Sequence, residues 1–243
     1  MYMNDKKNYL RGHSIFGSNG NLHQIEYAEK SVNSSEPSVG IQFENGIVLL
    51  SQKTTKSSPL LIHDSIEKIH RIDEQIGMAF SGHITDGRIL AEKLREHTEE
   101  EKLQFGNVSE TSVLIHAISE DIQDTIKSTE LRPYGVSLLV GGIDFNGTPQ
   151  LYKIDPSGAP SAWKGVAIGK NCSDIQQHIE NNYVDKMDKD EALKLIIESI
   201  TKYTGDKIQP ELLDITIITE DDYIEQSQET IQKLINNIGD KDE

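Results

Sequence analysis

The run Val136-Ser137-Leu138-Leu139-Val140 constrains this chain more than any other stretch. It is entered through Arg132-Pro133-Tyr134-Gly135, where proline and glycine shape the approach, and its near-continuous apolar character reads as a strand buried on both faces. A strand of that kind needs structure packed on either side of it.

The rest of the chain supplies that structure. Segments 38–43 (SVGIQF) and 47–51 (IVLLS) flank Glu44-Asn45-Gly46 and predict a hairpin. A Lys/Ser/Thr-rich loop over 52–59 leads to a second strand pair, near residues 66–72 and 75–81, joined by the acidic turn Asp73-Glu74 and ended by Gly82. Helical spacing follows from about residue 84 to 102, with Ile84, Leu90, Ala91 and Leu94 apolar and Glu96, Glu99, Glu100 and Glu101 solvated. A second helix is predicted over about 109–127, with Val113, Leu114, Ala117, Ile118, Ile122 and Ile126 facing inward. Beyond the buried strand, Asn146-Gly147 turns the chain into residues 150–155. Pro156-Ser157-Gly158 then turns it into one strand containing Trp163 and residues 166–169. Helices at about 173–183 and 189–203, a strand over 212–219, and a last helix from about 223 to 238 complete the order before the charged tail 239–243. Two antiparallel sheets packed face to face, each covered by helices, satisfy that order best. The expected fold is therefore α+β, a four-layer α-β-β-α sandwich over residues 38–243, with an extra N-terminal helix and segment over residues 1–37.

That extra helix lies in FGSNGNLHQIEYAEKSV, residues 16–32. Asn19-Gly20 is a turn dipeptide, because both residues tolerate positive φ. Asn21 is placed to cap the helix, and Gln24 to complete a capping box. Leu22, Ile25, Ala28 and Val32 form one apolar stripe. On the pattern alone this is an ordinary helix docked on its own domain.

Bulk properties narrow the function. A chain of 243 residues suits one sizeable core. With 24 Lys+Arg against 40 Asp+Glu, the formal net charge of −16 argues against nucleic acid or an anionic membrane as the primary partner. One cysteine, Cys172, leaves no internal disulfide and no pair for a zinc or redox site, and its expected role is packing at a helix start. The eight histidines form no HxxxH or HxH pair on a predicted element, so neither a metal nor a cofactor is expected. Without a secretory leader or an apolar run of about 18 residues, the expected location is cytoplasmic.

Four segments together resemble a proteasome core-particle α subunit. They are Gly20-Asn21-Leu22-His23-Gln24-Ile25-Glu26-Tyr27-Ala28, SIEKI at residues 65–69, RPYGVSLL at residues 132–139, and Asp155-Pro156-Ser157-Gly158 followed by Trp163 and Ala167-Ile168-Gly169. The resemblance spans nearly the whole chain and is nearer the archaeal form than any eukaryotic paralogue. It implies an N-terminal-nucleophile-hydrolase sandwich that joins a seven-membered α ring, caps the catalytic β rings and gates the entry of unfolded protein. It also implies docking of the C-termini of a regulatory AAA ATPase.

The residues themselves argue against catalysis. This fold's chemistry needs a Thr, Ser or Cys freed as a new N-terminus at the first strand, so that its own amine serves as base. Here the strand begins Glu36-Pro37-Ser38-Val39-Gly40, and Ser38 follows a 37-residue extension. Where the β-subunit pattern places a carboxylate this chain has Gln52, and an amide cannot hold a lysine charged and oriented as an acid does. No catalytic residue is expected. The alternative is an autoprocessed threonine-type or serine-type β-like peptidase of the same fold, which predicts cleavage before Ser38. A third reading, a stand-alone acidic adaptor, predicts a monomer.

The resemblance also assigns sites. Lys68 matches the lysine that receives an ATPase carboxylate between neighbouring subunits, a charge-assisted contact worth about 1.5–3 kcal/mol. Read without the family, it is an exposed strand-edge lysine pairing with Glu67 or Asp73 for about 0–1 kcal/mol. Gly82 and His83 match positions lining the same pocket, with His83 standing where the pattern usually has an aliphatic residue, and Glu29 reverses the charge of the family's arginine there. At the gate, Tyr9-Leu10-Arg11 replaces Tyr-Asp-Arg. Ser18 replaces the proline of the reverse turn that precedes Gly20, and Tyr27 is retained. These departures imply a gate of related position with altered contacts.

Overall fold

The computed structural model describes residue 16 and residues 20–54, 60–62, 65–106, 110–128, 131–204 and 209–239. Its elements are α1 (His23–Asn33), β1 (Ser38–Phe43), β2 (Gly46–Gln52), β3 (Ile69–Asp73), β4 (Ile76–Gly82), α2 (Ile84–Phe105), α3 (Thr111–Lys127), β5 (Val136–Ile143), β6 (Pro149–Ile154), β7 (Pro160–Ala162), β8 (Gly165–Ile168), α4 (Cys172–Asn182), α5 (Lys189–Thr204), β9 (Leu213–Thr219), β10 (Tyr223–Glu225) and α6 (Gln228–Gly239). One antiparallel sheet runs β10-β9-β2-β1-β8 and the other β3-β4-β5-β6-β7.

Period-two alternation sorts the strand residues into three apolar layers. Val39, Ile41, Val48 and Leu50 of the first sheet face Ile175, Ile196 and Ile200 of α4 and α5. Met78, Phe80, Leu138 and Val140 of the second sheet face Leu90, Leu94, Leu114 and Ile118 of α2 and α3. Between the sheets lie the alternate residues Ile47, Leu49, Ala79, Leu139, Val166 and Ile218. This is the expected α-β-β-α sandwich, with β5 buried along its whole length. The sheets approach so closely at Gly40 that a Cβ there would lie 2.9 Å from the Leu151 side chain. At the start of α5, Asp188 and Glu191 form a reciprocal capping box: each backbone N–H donates to the other's carboxylate, at 3.0 and 2.8 Å.

Several local expectations are corrected. The single strand through Trp163 is two strands, because the chain leaves β6 after Ala162 and joins β1 at Gly165 on the other sheet. Trp163 sits at that crossing, its backbone N–H donating to Leu151 O at 2.9 Å. The last helix begins at Gln228, since residues 223–225 pair with β9 as the sheet edge. β3 begins at Ile69, and its register shifts by a bulge between Arg71 and Asp73. Val113 is exposed rather than inward, lying in the first turn of α3, and Ile84 at the start of α2 is exposed as well. Asn21 does not cap α1: the cap residue is Leu22, without a side-chain cap bond. Asn21 instead donates from its amide to Glu26 Oε1 at 2.8 Å.

Candidate functional site

Two neighbourhoods carry the predicted site residues. The first is the fold's catalytic position, at the start of β1. Ser38 is fully buried as an internal peptide residue, with its hydroxyl donating to Phe80 O at 2.8 Å and accepting from Ser51 Oγ at 2.7 Å. Ahead of it, α1 buries Ile25, Ala28 and Val32 against the protein, so the helix that precedes Ser38 is part of the folded structure. Gln52 stands buried at the carboxylate position. Lys68 is 5% exposed, which overturns the exposed strand-edge pairing with Glu67 or Asp73. Its ammonium donates to Glu36 O at 2.9 Å and Gln52 O at 2.8 Å. Burial pushes its pKa down to about 8, against the opposing pull of Glu36 and Asp214. Ser81 Oγ donates to the same Glu36 carbonyl at 3.0 Å. Lys68 and Ser81 together thus clasp the backbone carbonyl of Glu36, two residues before Ser38.

The second neighbourhood is an open groove of about 440 Å³ between α1 and the start of α2. Gln24, Tyr27, Ala28 and Ser31 line it from α1, His83, Thr85 and Asp86 from the entry to α2, and Arg132, Pro133 and Gly135 from the approach to β5. Gly82 delivers the chain into it with φ of +129°, and a Cβ at Gly82 would fall 2.2 Å from Gly135 O. The next residue, His83, donates its backbone N–H to that carbonyl at 3.0 Å. The His83 ring is exposed at the groove, with Nε2 3.3 Å from Ser31 Oγ and its Cδ2 edge against Gly135. Below it, Asp86 is 2% exposed and receives both Arg132 guanidinium N–H groups at 2.7 Å, together with Gly135 N–H at 2.9 Å. Burial raises the Asp86 pKa, but those hydrogen bonds outweigh it and hold the carboxyl below its ordinary value.

The sequence-derived set therefore divides. Gly82, His83 and Tyr27 come together at the groove, whereas Lys68 faces inward at the clasp and Glu29 is exposed on α1 without lining the groove. Tyr27 is 43% exposed, with Lys30 Nζ 5.2 Å from its ring centroid. Gly20 is exposed with φ of +83°. Tyr9, Leu10, Arg11 and Ser18 lie outside the described residues. Sequence reasoning missed Asp86, Ser31 and Thr85 and gave Arg132 only a structural part. The available signal was an acid in the first turn of α2, three residues after the histidine.

A sandwich of two five-stranded sheets with an internal, clasped residue where a nucleophile would be freed defines an N-terminal-nucleophile fold in its non-catalytic form. The Proteasome subunit family matches residues 32–218. Proteasome subunit alpha 2 of Haloferax volcanii is 35% identical over 243 residues, covering 100% of this chain and 96% of the relative. Proteasome subunit alpha of Haloquadratum walsbyi is 37% identical over 229 residues, covering 93% and 91%. Proteasome subunit alpha of Halobacterium salinarum is 33% identical over 239 residues, covering 98% and 94%. The chain belongs to the proteasome subunit family. These relatives are α subunits, which accords with the non-catalytic reading and not with the self-processing β-like one.

Proposed function

We propose that this chain forms the outer heptameric ring of a proteasome core particle, stacks on a ring of β subunits, gates the passage of unfolded protein and docks the C-termini of an AAA ATPase. The observation that carries the reading is α1, a folded helix packed ahead of β1, which leaves Ser38 internal. In this reading residues 1–37 are the gate segment, which includes Tyr9, Leu10, Arg11, Ser18 and Gly20, and residues 38–243 are the ring-forming sandwich. The assembly works in the cytoplasm; among the described residues no helix is long and apolar enough to cross a membrane.

Docking of a terminal carboxylate draws support from the α1–α2 groove entered at Gly82 and His83, while the part of Lys68 rests on the resemblance alone. Glu29 is a rim charge that tunes which tails approach. The test is native mass spectrometry of the chain mixed with a proteasome β subunit. The expected result is rings of uncleaved chain stacked on β rings. Monomers alone, or cleavage before Ser38, overturn the reading. In such complexes Lys68→Ala is expected to lower stimulation by an ATPase C-terminal peptide more than about tenfold while rings persist. Unchanged stimulation removes Lys68 from the docking site.

A further inference from the structure

The apolar layer between the sheets gives way to polar groups at one edge of the sandwich. Ile218 of β9 and Ile69 of β3 pack with that layer. Two-residue alternation puts Thr216 and Asp214 on the face of Ile218, and Arg71 on the face of Ile69. Between the edge strand β3 and the facing parts of β9 and β10 lies a cavity of about 400 Å³. It shares no lining residue with the α1–α2 groove, and its size falls in the range of about 300–1,000 Å³ usual for small-molecule sites.

Most of the charges on its lining are already engaged. Lys53, whose side chain is 4% exposed, pairs with Asp214 at 2.9 Å. Arg95 pairs with Glu92 at 2.6 Å, and Glu67 lies 3.6 Å from the His70 ring. Arg71 and Glu225 are the exceptions. Both line the cavity, from β3 of one sheet and β10 of the other, and among the described residues neither has an ion-pair partner. Arg71 is positioned by other means: its guanidinium lies 5.1 Å from the centroid of the Tyr223 ring, and its Nε–H donates to Asp73 O at 3.2 Å. Two opposite charges thus stand on facing strands with the cavity between them. Ile66 and Ile69 add an apolar wall beside them.

We propose that this cavity is a binding site for a free α-amino acid with an aliphatic side chain, its carboxylate on Arg71, its ammonium on Glu225 and its side chain over Ile66 and Ile69. A ligand of one sign would satisfy one of the two unpaired charges and be repelled by the other, whereas a zwitterion satisfies both. Longer peptides carry their terminal charges too far apart for one small cavity. The inference stands on these residues and does not depend on the docking reading.

The experiment uses the full-length chain with its isoleucine δ1 methyl groups isotopically labelled, titrated with L-leucine and followed by methyl NMR. The Ile66 and Ile69 signals are identified from Ile66→Val and Ile69→Val. Saturable shifts are expected at Ile66 and Ile69 and not at Ile25, which lies on α1. Charge-assisted hydrogen bonds are roughly twice as strong as neutral ones, so removing either charge should weaken binding about tenfold. N-acetyl-leucine, which keeps only the carboxylate, and leucinamide, which keeps only the ammonium, are each expected to show that loss. The variants Arg71→Gln and Glu225→Gln should show it with leucine, and Glu225, exposed at the sheet edge, can be changed without disturbing the Tyr223 contact of Arg71. No saturable shift at Ile66 and Ile69 up to about 10 mM leucine overturns the site. Equal binding of either blocked form, or unchanged affinity in Glu225→Gln, overturns the assignment to a zwitterion.

Discussion

Arg132→Gln is the most informative single change in the groove. Asp86 is 2% exposed and takes three hydrogen bonds, two of them from Arg132. Removing one partner of a buried ion pair costs about 3–5 kcal/mol, because the remaining charge is left desolvated. Here Arg132 is itself 60% exposed, so water already screens its side of the pair, and Gly135 N–H stays on the carboxylate. Discounting for both gives about 2 kcal/mol. For a chain of this size that is a fall in apparent melting temperature of about 4–8 °C. Thermal melts of the purified assembly, followed by circular dichroism, measure it.

The pH dependence supplies a second check. In the native protein the Asp86 pKa is depressed, so its stabilisation is complete above the ordinary carboxylate value and is lost as pH falls through the lower folded value. In Arg132→Gln burial dominates and raises the folded pKa. The variant's penalty is then full at neutral pH and fades as pH falls toward about 4. The gap between the two melts should narrow in acid, and Asp86→Asn combined with Arg132→Gln should recover part of it. A gap below about 1 °C at pH 7, or one that stays constant down to pH 4, refutes the buried-pair account.

Two other perturbations test the clasp and the groove entry. Lys68 has its pKa lowered to about 8 by burial, so its charged form opposes folding below that pH, and the opposition fades as pH rises toward the unfolded value of 10.5. Relative to Lys68→Met, the native chain should gain about 3 kcal/mol between pH 7 and 10.5 in denaturant titrations, and a flat difference would show that the lysine is not desolvated. Gly82→Ala places a methyl 2.2 Å from Gly135 O at a φ of +129° and should cost about 2–4 kcal/mol. Raised hydrogen exchange at Gly135 and Val136 should accompany that loss, and native-like melting would contradict the close approach.

The layers of this fold were legible because burial imposes a period. Val39, Ile41 and Phe43 on one side of β1, and Met78 and Phe80 on one side of β4, repeat every second residue, and the turns between them are marked by Asn, Gly and Pro. What escaped were features with no period of their own. The three-residue strand β10 is too short to alternate, and it exists only because β9 offers an edge. The change of sheet at Trp163 is invisible in a sequence that stays β-prone on both sides of it. Asn21 has the chemistry of a cap, but Glu26 takes its amide instead. Lys68 was locatable by type and position, whereas its partners were not, because both acceptors are backbone carbonyls that no side-chain pattern reveals.

Those carbonyls explain why loss of catalysis and retention of the N-terminal helix belong together. Glu36 O, which accepts from both Lys68 and Ser81, lies in the short link between α1 and β1. The adjoining Pro37 accepts from Gln52 N–H at 3.0 Å, and a Cβ on Gly169 would meet its Cα at 2.8 Å. The groups that could have served a freed nucleophile thus hold the peptide that precedes it. Cleavage before Ser38 with departure of the preceding segment would remove the carbonyls of both Glu36 and Pro37, leaving a buried ammonium with a single acceptor and the N–H of Gln52 without one. At about 1–3 kcal/mol for each orphaned group, and more for the charged one, the processed chain is disfavoured by the same contacts that anchor α1.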